Sequence, residues 1–174
     1  MNEFPRGSAI VVMGVSGAGK STLGQALADE LGVRFVEGDS LHPAANVAKM
    51  AAGIPLDDAD RWPFLNEVAT ALSANRAEGV VVSCSALKRS YRDLLRSNAG
   101  PIIFILPFLD RATLSGRLAS RSGHFMPSAL LDSQLATLDP PAADEEAVTV
   151  DGTLPVEAQV AAVRTALAQR PLSG

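Results

Sequence analysis

Ala9-Ile-Val-Val-Met13 running into Gly14-Val-Ser-Gly-Ala-Gly-Lys-Ser21 is the stretch that decides the fold. Its first part is a short apolar run rich in β-branched side chains, which reads as a strand buried on both faces. The second part satisfies G-x-x-x-x-G-K-[ST]. From Ser21 to Leu31 the residues Leu23, Ala26, Leu27 and Leu31 recur at helical spacing, and Gly32 stops the helix. A strand, a glycine-rich turn and a helix in that order make a cradle for phosphate. Glycines let backbone N–H groups turn inward, and the helix N-terminus adds a favourable dipole. The expected nucleotide contacts are Gly14, Val15, Ser16, Gly17, Ala18, Gly19, Lys20, Ser21 and Thr22. In this arrangement Lys20 reaches the β- and γ-phosphates and the Ser21 hydroxyl is a Mg²⁺ ligand.

Outward from that stretch, strands and helices alternate. Further strands are expected at Arg34–Glu37, Val80–Ser83, Ile102–Leu106 and Ala147–Val150. Helices are expected at Pro43–Ala52, from about Asp60 to Ala77, at Lys88–Arg96 and Asp110–Arg121, after the turn Ser122–Pro127 to about Leu138, and at Pro155–Ala168. The alternation predicts an α/β fold in three layers, a five-stranded parallel sheet with right-handed crossovers. One domain is expected over residues 1–174, with an insert at about 40–78 for substrate and a lid at about 121–137. In a parallel sheet all strands end at one edge, and ligands bind outside it. Gly14, Asp39, Ser83 to Lys88, Pro107 and Asp151 follow the five strands and are the segments from which chemistry should be drawn.

Composition removes several other classes. Apolar residues make up 47% of the 174 and the formal net charge is −4, an ordinary globular balance that disfavours sequence-blind binding of nucleic acid. The single cysteine, Cys84, allows neither an intramolecular disulfide nor a cysteine metal site, and reads as a small buried residue. Met1 to Ser8 lacks the apolar core of a signal peptide, and the most apolar run, Ile102 to Leu109, is too short to cross a bilayer. The expected compartment is the cytoplasm, with no membrane partner.

On the acceptor side, Asp39 ends the second strand beside the phosphate loop. A carboxylate there can take the proton of an acceptor hydroxyl or hold Mg²⁺ through water; a turn or cap is its structural role. His42 lies three residues on, where a neutral imidazole can bind polyol hydroxyls or simply pack. The run Asp57-Asp-Ala-Asp60 suits a helix start, whereas Arg61 offers a fork for a substrate carboxylate or a surface ion pair with Asp57 or Asp58. Lys88 is a second cationic candidate for an anionic ligand; Arg89, Arg92 and Arg96 read as a solvated helix face. Arg117 and Arg121 share one helical face leading into Ser122-Gly-His124-Phe125, which reads as a lid bringing arginines to the developing phosphoryl charge. Asp151 to Pro155 sits where a loop contacting adenine can lie.

Beyond the phosphate loop, the chain carries Glu37-Gly-Asp-Ser-Leu-His-Pro43, Asn46, Lys49-Met50, Gly53-Ile-Pro-Leu-Asp57, Asp60-Arg61, Cys84-Ser-Ala-Leu-Lys88, Tyr91-Arg-Asp-Leu-Leu-Arg96, Arg121-Ser-Gly-His-Phe125 and Leu130-Leu-Asp-Ser-Gln134. With these runs it resembles the gluconate kinase family of P-loop small-molecule kinases, from about Ala9 to Arg164. The resemblance implies an adenylate-kinase-like fold, ATP with Mg²⁺, and transfer of the γ-phosphoryl group to the 6-hydroxyl of D-gluconate. It also implies a homodimer. Read from the residues, the expected catalytic groups are Lys20, Asp39 and Arg121, and the expected acceptor contacts are Asp39, His42, Arg61, Lys88 and His124. Two residues depart from the family pattern: Phe64, where a tryptophan is expected after Pro63, and Asp139, where Glu or Gln is usual. Shikimate kinases resemble the chain through the phosphate loop but carry D-x-D where it has Glu37-Gly-Asp39. A nucleotide-binding regulator without turnover would lack the catalytic set that is present here.

Overall fold

β1 (Ala9–Val12) shows why the sheet forms where the sequence places it. Ala9, Val11 and Met13 face one side and Ile10 and Val12 the other, and all are buried. A strand covered on both faces requires helices on both faces. In the computed structural model, which describes residues 7–120 and 128–170, these are supplied by α1 (Lys20–Leu31), α2 (Ala44–Ala51), α3 (Asp58–Asn75), α4 (Arg89–Ala99), α5 (Arg111–Ser120), α6 (Ser128–Thr137) and α7 (Val156–Ala168). They are interleaved with β2 (Arg34–Glu37), β3 (Val80–Ser83), β4 (Ile103–Phe108) and β5 (Ala147–Asp151). The strands pair in parallel in the order β2-β3-β1-β4-β5.

The three layers are visible in the packing. On one face, Phe64, Leu65, Val68 and Leu72 of α3 and Tyr91 and Leu95 of α4 cover Val11, Val82 and Phe104. On the other, Leu23 and Leu27 of α1 and Val160 and Val163 of α7 cover Ile10, Val12, Val81 and Ile105. A third cluster lies at the carboxyl edge, where Val15 and Ala18 of the phosphate loop meet Leu87, Leu114 and Leu118 of α5, and Leu131 of α6. Among the described residues no helix is long and apolar enough to cross a membrane.

Two of the boundaries that differ from expectation have a clear physical cause. β4 continues through Pro107 to Phe108. Along β4 the backbone groups alternate sides: Phe104 N bonds toward β5 and Ile105 O toward Met13. Pro107 therefore faces the β1 side, beyond the last β1 pairing at Ile105, where no ladder bond is lost. α3 starts at Asp58 because Asp57 caps it: Asp57 Oδ1 accepts from Asp60 N at 2.8 Å, and Asp60 Oδ2 accepts from Asp57 N at 3.0 Å.

Close approach fixes the end of β2. A Cβ on Gly38 would lie 1.8 Å from the Ser83 carbonyl oxygen, so only glycine lets the chain leave β2 this near to β3. Gly38 N donates to Ser83 Oγ at 3.2 Å, and that hydroxyl donates to Glu37 Oε1 at 2.7 Å. Asp39 follows directly.

The expected solvated basic face of α4 is corrected at Arg92. Its side chain is fully buried and pairs in two-point fashion with Glu145, at 2.8 Å from Nε to Oε1 and 3.0 Å from Nη2 to Oε2. Arg96 Nη2 also reaches Glu145 Oε1, at 3.0 Å. The Arg92 guanidinium, more than any other cause, holds the Glu145 carboxyl down to about 2. Removing one partner of such a pair leaves a buried uncompensated charge and costs about 3–5 kcal/mol. A depressed carboxyl stabilises fully above its unfolded value of 4.5, and that stabilisation is lost as pH falls through about 2. In denaturant titrations the stability gap between the wild type and Glu145→Ala should therefore narrow as pH falls from 4.5 toward 2. A gap that stays constant across that range contradicts the assignment.

Candidate active site

Two helix starts near the carboxyl edge are finished differently. α3 closes its own free amides with Asp57. α1 begins at Gly19, which has no side chain to cap with and sits at φ +87°. No side chain caps that turn, and the dipole there favours an anion. Gly17 is equally constrained, with φ +85° and Leu118 Cγ only 3.2 Å from where a Cβ would stand. Lys20 folds back over the loop and donates from Nζ to Val15 O at 2.9 Å. Ser21 and Thr22 are exposed on the first turn of α1. Ser16 is held from α6: its N–H donates to Gln134 Oε1 at 2.8 Å, and Gln134 Nε2 donates to Ser16 Oγ at 3.3 Å.

Cavities flank this loop on both sides. The smaller, about 360 Å³, is bordered by Gly17, Gly19, Thr22, Arg117, Leu154 and Gln159. Arg117 Nη2 donates to Gly152 O at 2.9 Å and so ties α5 to the turn after β5. Gln159 Nε2 donates to Leu154 O at 2.9 Å and steadies the same turn from α7. The larger cavity, about 550 Å³, is bordered by Ser16, Lys20, Asp39, His42, Arg61 and Gln134, with Phe64 and the Ser85–Leu87 segment beneath.

Within the larger cavity His42 stacks on Phe64, with ring centroids 3.6 Å apart and planes 12° from parallel. Its Nδ1 lies 3.3 Å from Asn46 Nδ2, and that amide also donates to Asp60 O at 2.8 Å. With Asn46 donating, Nδ1 accepts and the ring proton sits on Nε2. Burial lowers the imidazole pKa from 6.5, keeping the ring neutral at pH 7. The stack also gives Phe64 a place: it is buried against His42 and the core, so the departure from tryptophan is absorbed in packing.

Arg61 borders the cavity and is steadied behind it. Nη1 donates to Tyr91 Oη at 2.8 Å, and that hydroxyl donates to Asp58 Oδ1 at 2.5 Å. Asp58 also takes Lys88 Nζ at 3.2 Å and lies 3.9 Å from Arg61. The Tyr91 hydrogen bond, followed by Lys88, holds the Asp58 carboxyl below its usual range, and Asp58 raises the Lys88 ammonium in turn. Arg61 thus approaches Asp58, as the ion-pair alternative expects, and also lines the cavity. Lys88 does not stand in that lining; its amine is committed to Asp58. Burial pushes the Cys84 thiol up to about 12, which leaves it no role as a nucleophile.

The structure therefore brings Ser16, Lys20, Asp39, His42 and Arg61 to one cavity, and Gly17, Ala18, Gly19, Thr22 and Arg117 to the other. Arg121 and His124 lie outside the described residues, as does most of the expected lid turn. Gln134, Tyr91 and Asp58 were not singled out by their chemistry. Tyr91 and Gln134 stand inside runs that carry the family resemblance, which was the available signal. Asp58 was hidden among acids that suit any helix start.

Comparison with known proteins agrees with this geometry. A family model described as an AAA domain matches residues 10–141. A gluconokinase of Gluconobacter oxydans is 51% identical over 145 residues, covering 82% of each chain. The thermosensitive gluconokinase of Escherichia coli is 44% identical over 143 residues, covering 80% of this chain and 76% of that one. The crystal structure of a gluconokinase from Sinorhizobium meliloti 1021 superposes with a TM-score of 0.87 at 47% identity, covering 95% of this chain and 94% of that one. With relatives this similar over most of its length, the chain belongs to the gluconokinase family.

Proposed function

We propose that this chain transfers the γ-phosphoryl group of ATP to the 6-hydroxyl of D-gluconate, giving 6-phosphogluconate and ADP. The observation that carries the reading is the pair of cavities sharing the phosphate loop as their common wall. Gly17 and Gly19 face one, and Ser16 and Lys20 face the other. A nucleotide on the Arg117 side and an acceptor on the Asp39 side then meet at Lys20, as in-line transfer requires.

The residues divide the work as follows. Amides from Gly17 to Ser21 and the Lys20 ammonium hold the phosphates and offset the charge that develops as the bond to the ADP oxygen breaks. Asp39 accepts the hydroxyl proton as that oxygen bonds to phosphorus. Arg61 binds the gluconate carboxylate, and His42, donating from Nε2, binds a chain hydroxyl. Lys88 acts behind them, through Asp58. The exposed Ser21 hydroxyl and Asp39 carboxylate are hard oxygen donors, as Mg²⁺ prefers beside phosphate and water ligands. Among the described residues no cluster of three His, Cys, Asp or Glu would hold a metal by itself, which fits an ion that arrives with the nucleotide. Such an ion supplies further neutralisation of the phosphate charge. The reading keeps the cytoplasm, where ATP and a small sugar acid are both available, as the compartment of the reaction.

The direct test is ATP consumption with Mg²⁺ across gluconate, other sugar acids, shikimate and nucleoside monophosphates. A gluconate-dependent kcat/KM above about 10⁴ M⁻¹s⁻¹, with the other acceptors far below it, is expected. Turnover of another acid and not of gluconate overturns the substrate; ATP binding without turnover of any acceptor favours a nucleotide-binding regulator. For the carboxylate assignment, Arg61→Met should raise the KM for gluconate by about ten- to a hundredfold, the worth of a charged hydrogen-bonded pair, and leave the KM for ATP nearly unchanged. Equal effects on both substrates would remove Arg61 from the acceptor site.

A further inference from the structure

Ser85, Ala86 and Leu87 form part of the wall of the larger cavity. Their conformation is not one that the local sequence favours. Among the described residues, Ala86 alone of the non-glycines has a positive φ, +43°, a region where a Cβ is crowded by the backbone. Such a backbone persists only where surrounding contacts over-determine it.

Those contacts are on hand. Arg92 Nη1 donates to both the Ala86 and Leu87 carbonyl oxygens, at 3.0 and 3.1 Å. Leu87 O also accepts from Asp139 N at 2.8 Å, and Ser85 O accepts from Gly14 N at 3.1 Å. The guanidinium is itself locked by the two-point pair with Glu145, whose Oε2 is held further by Ala142 N at 2.9 Å. Neither Arg92 nor Glu145 borders the cavity. Stability alone gives little reason for this pair, because a buried ion pair is often matched or exceeded by apolar residues of similar volume. What an apolar substitute cannot supply is a pair of N–H donors directed at two successive carbonyls.

We infer that Arg92, fixed by Glu145, is a positioning residue for the acceptor: it sets the Ser85–Leu87 backbone in the wall against which gluconate is held. The inference rests on the larger cavity being the gluconate site.

The test is the double variant Arg92→Met/Glu145→Met, read by thermal melting and by separate KM values for gluconate and ATP. The expected result is a melting temperature close to that of the wild type, a gluconate KM raised about tenfold or more, and an ATP KM changed by less than about threefold. A folded double variant with the wild-type gluconate KM overturns the inference, as does an equal rise in both KM values. If the double variant does not fold, Arg92→Lys carries the test. It keeps the charge, but a single ammonium cannot serve both carbonyls and the carboxylate in one plane, so the same selective rise is expected. Failure of both variants to fold makes the pair structural and overturns the inference. Arg61→Met separates the two levels of the argument. If it raises the gluconate KM while the Arg92 variants do not, only the positioning role fails; if it too leaves that KM unchanged, the cavity assignment fails first.

Discussion

The glycine-rich loop that leads into α1 is the constraint around which this molecule is arranged. α3 closes its start with a side chain, Asp57. α1 begins instead at a left-handed glycine with no side chain to offer. The dipole at that end favours an anion. The parallel order β2-β3-β1-β4-β5 sets β1 in the middle of the sheet, so its loop is flanked by segments from both neighbours. The β3 side supplies Ser85 to Leu87 and, next beyond, Asp39 from β2. The β4 side leads to Arg117 on α5 and, through β5, to Leu154 and Gln159.

Charge is distributed in keeping with an anionic acceptor. Lys20 and Arg61 line the larger cavity together with one carboxylate, Asp39, while His42 is kept neutral by burial. The other acids of the region are already engaged: Asp58 by Tyr91 and Lys88, Asp60 by Lys49 at 2.7 Å, and Asp57 at the helix cap. A sugar acid thus meets cations and neutral donors there, and among the described residues that line the cavity the one carboxylate is Asp39.

Much of this was legible in the sequence because the deciding signals are local. The strand, loop and helix from Ala9 to Leu31 are written in consecutive residues, and the rule that ligands gather at strand ends located Asp39 without further information. Arg92 was not legible. With Arg89 and Arg96 it makes a basic helical stripe, and only Glu145, 53 residues away, shows that this arginine faces inward. Lys88 is a related case: it follows β3 as expected, but its amine meets Asp58, which the spacing could not single out. Pro107 looked like a strand end, since the missing neighbour that makes it harmless is a property of the sheet and not of the chain.

The central claim is that gluconate lies in the larger cavity, carboxylate toward Arg61 and 6-hydroxyl toward Asp39 and Lys20. A crystal structure with gluconate and an unreactive ATP analogue tests it most directly. The account predicts the 6-oxygen within hydrogen-bond distance of Asp39 and facing the terminal phosphorus, with the carboxylate on the Arg61 guanidinium. Gluconate bound in the reverse sense, or outside the cavity bordered by Asp39, His42 and Arg61, would contradict it.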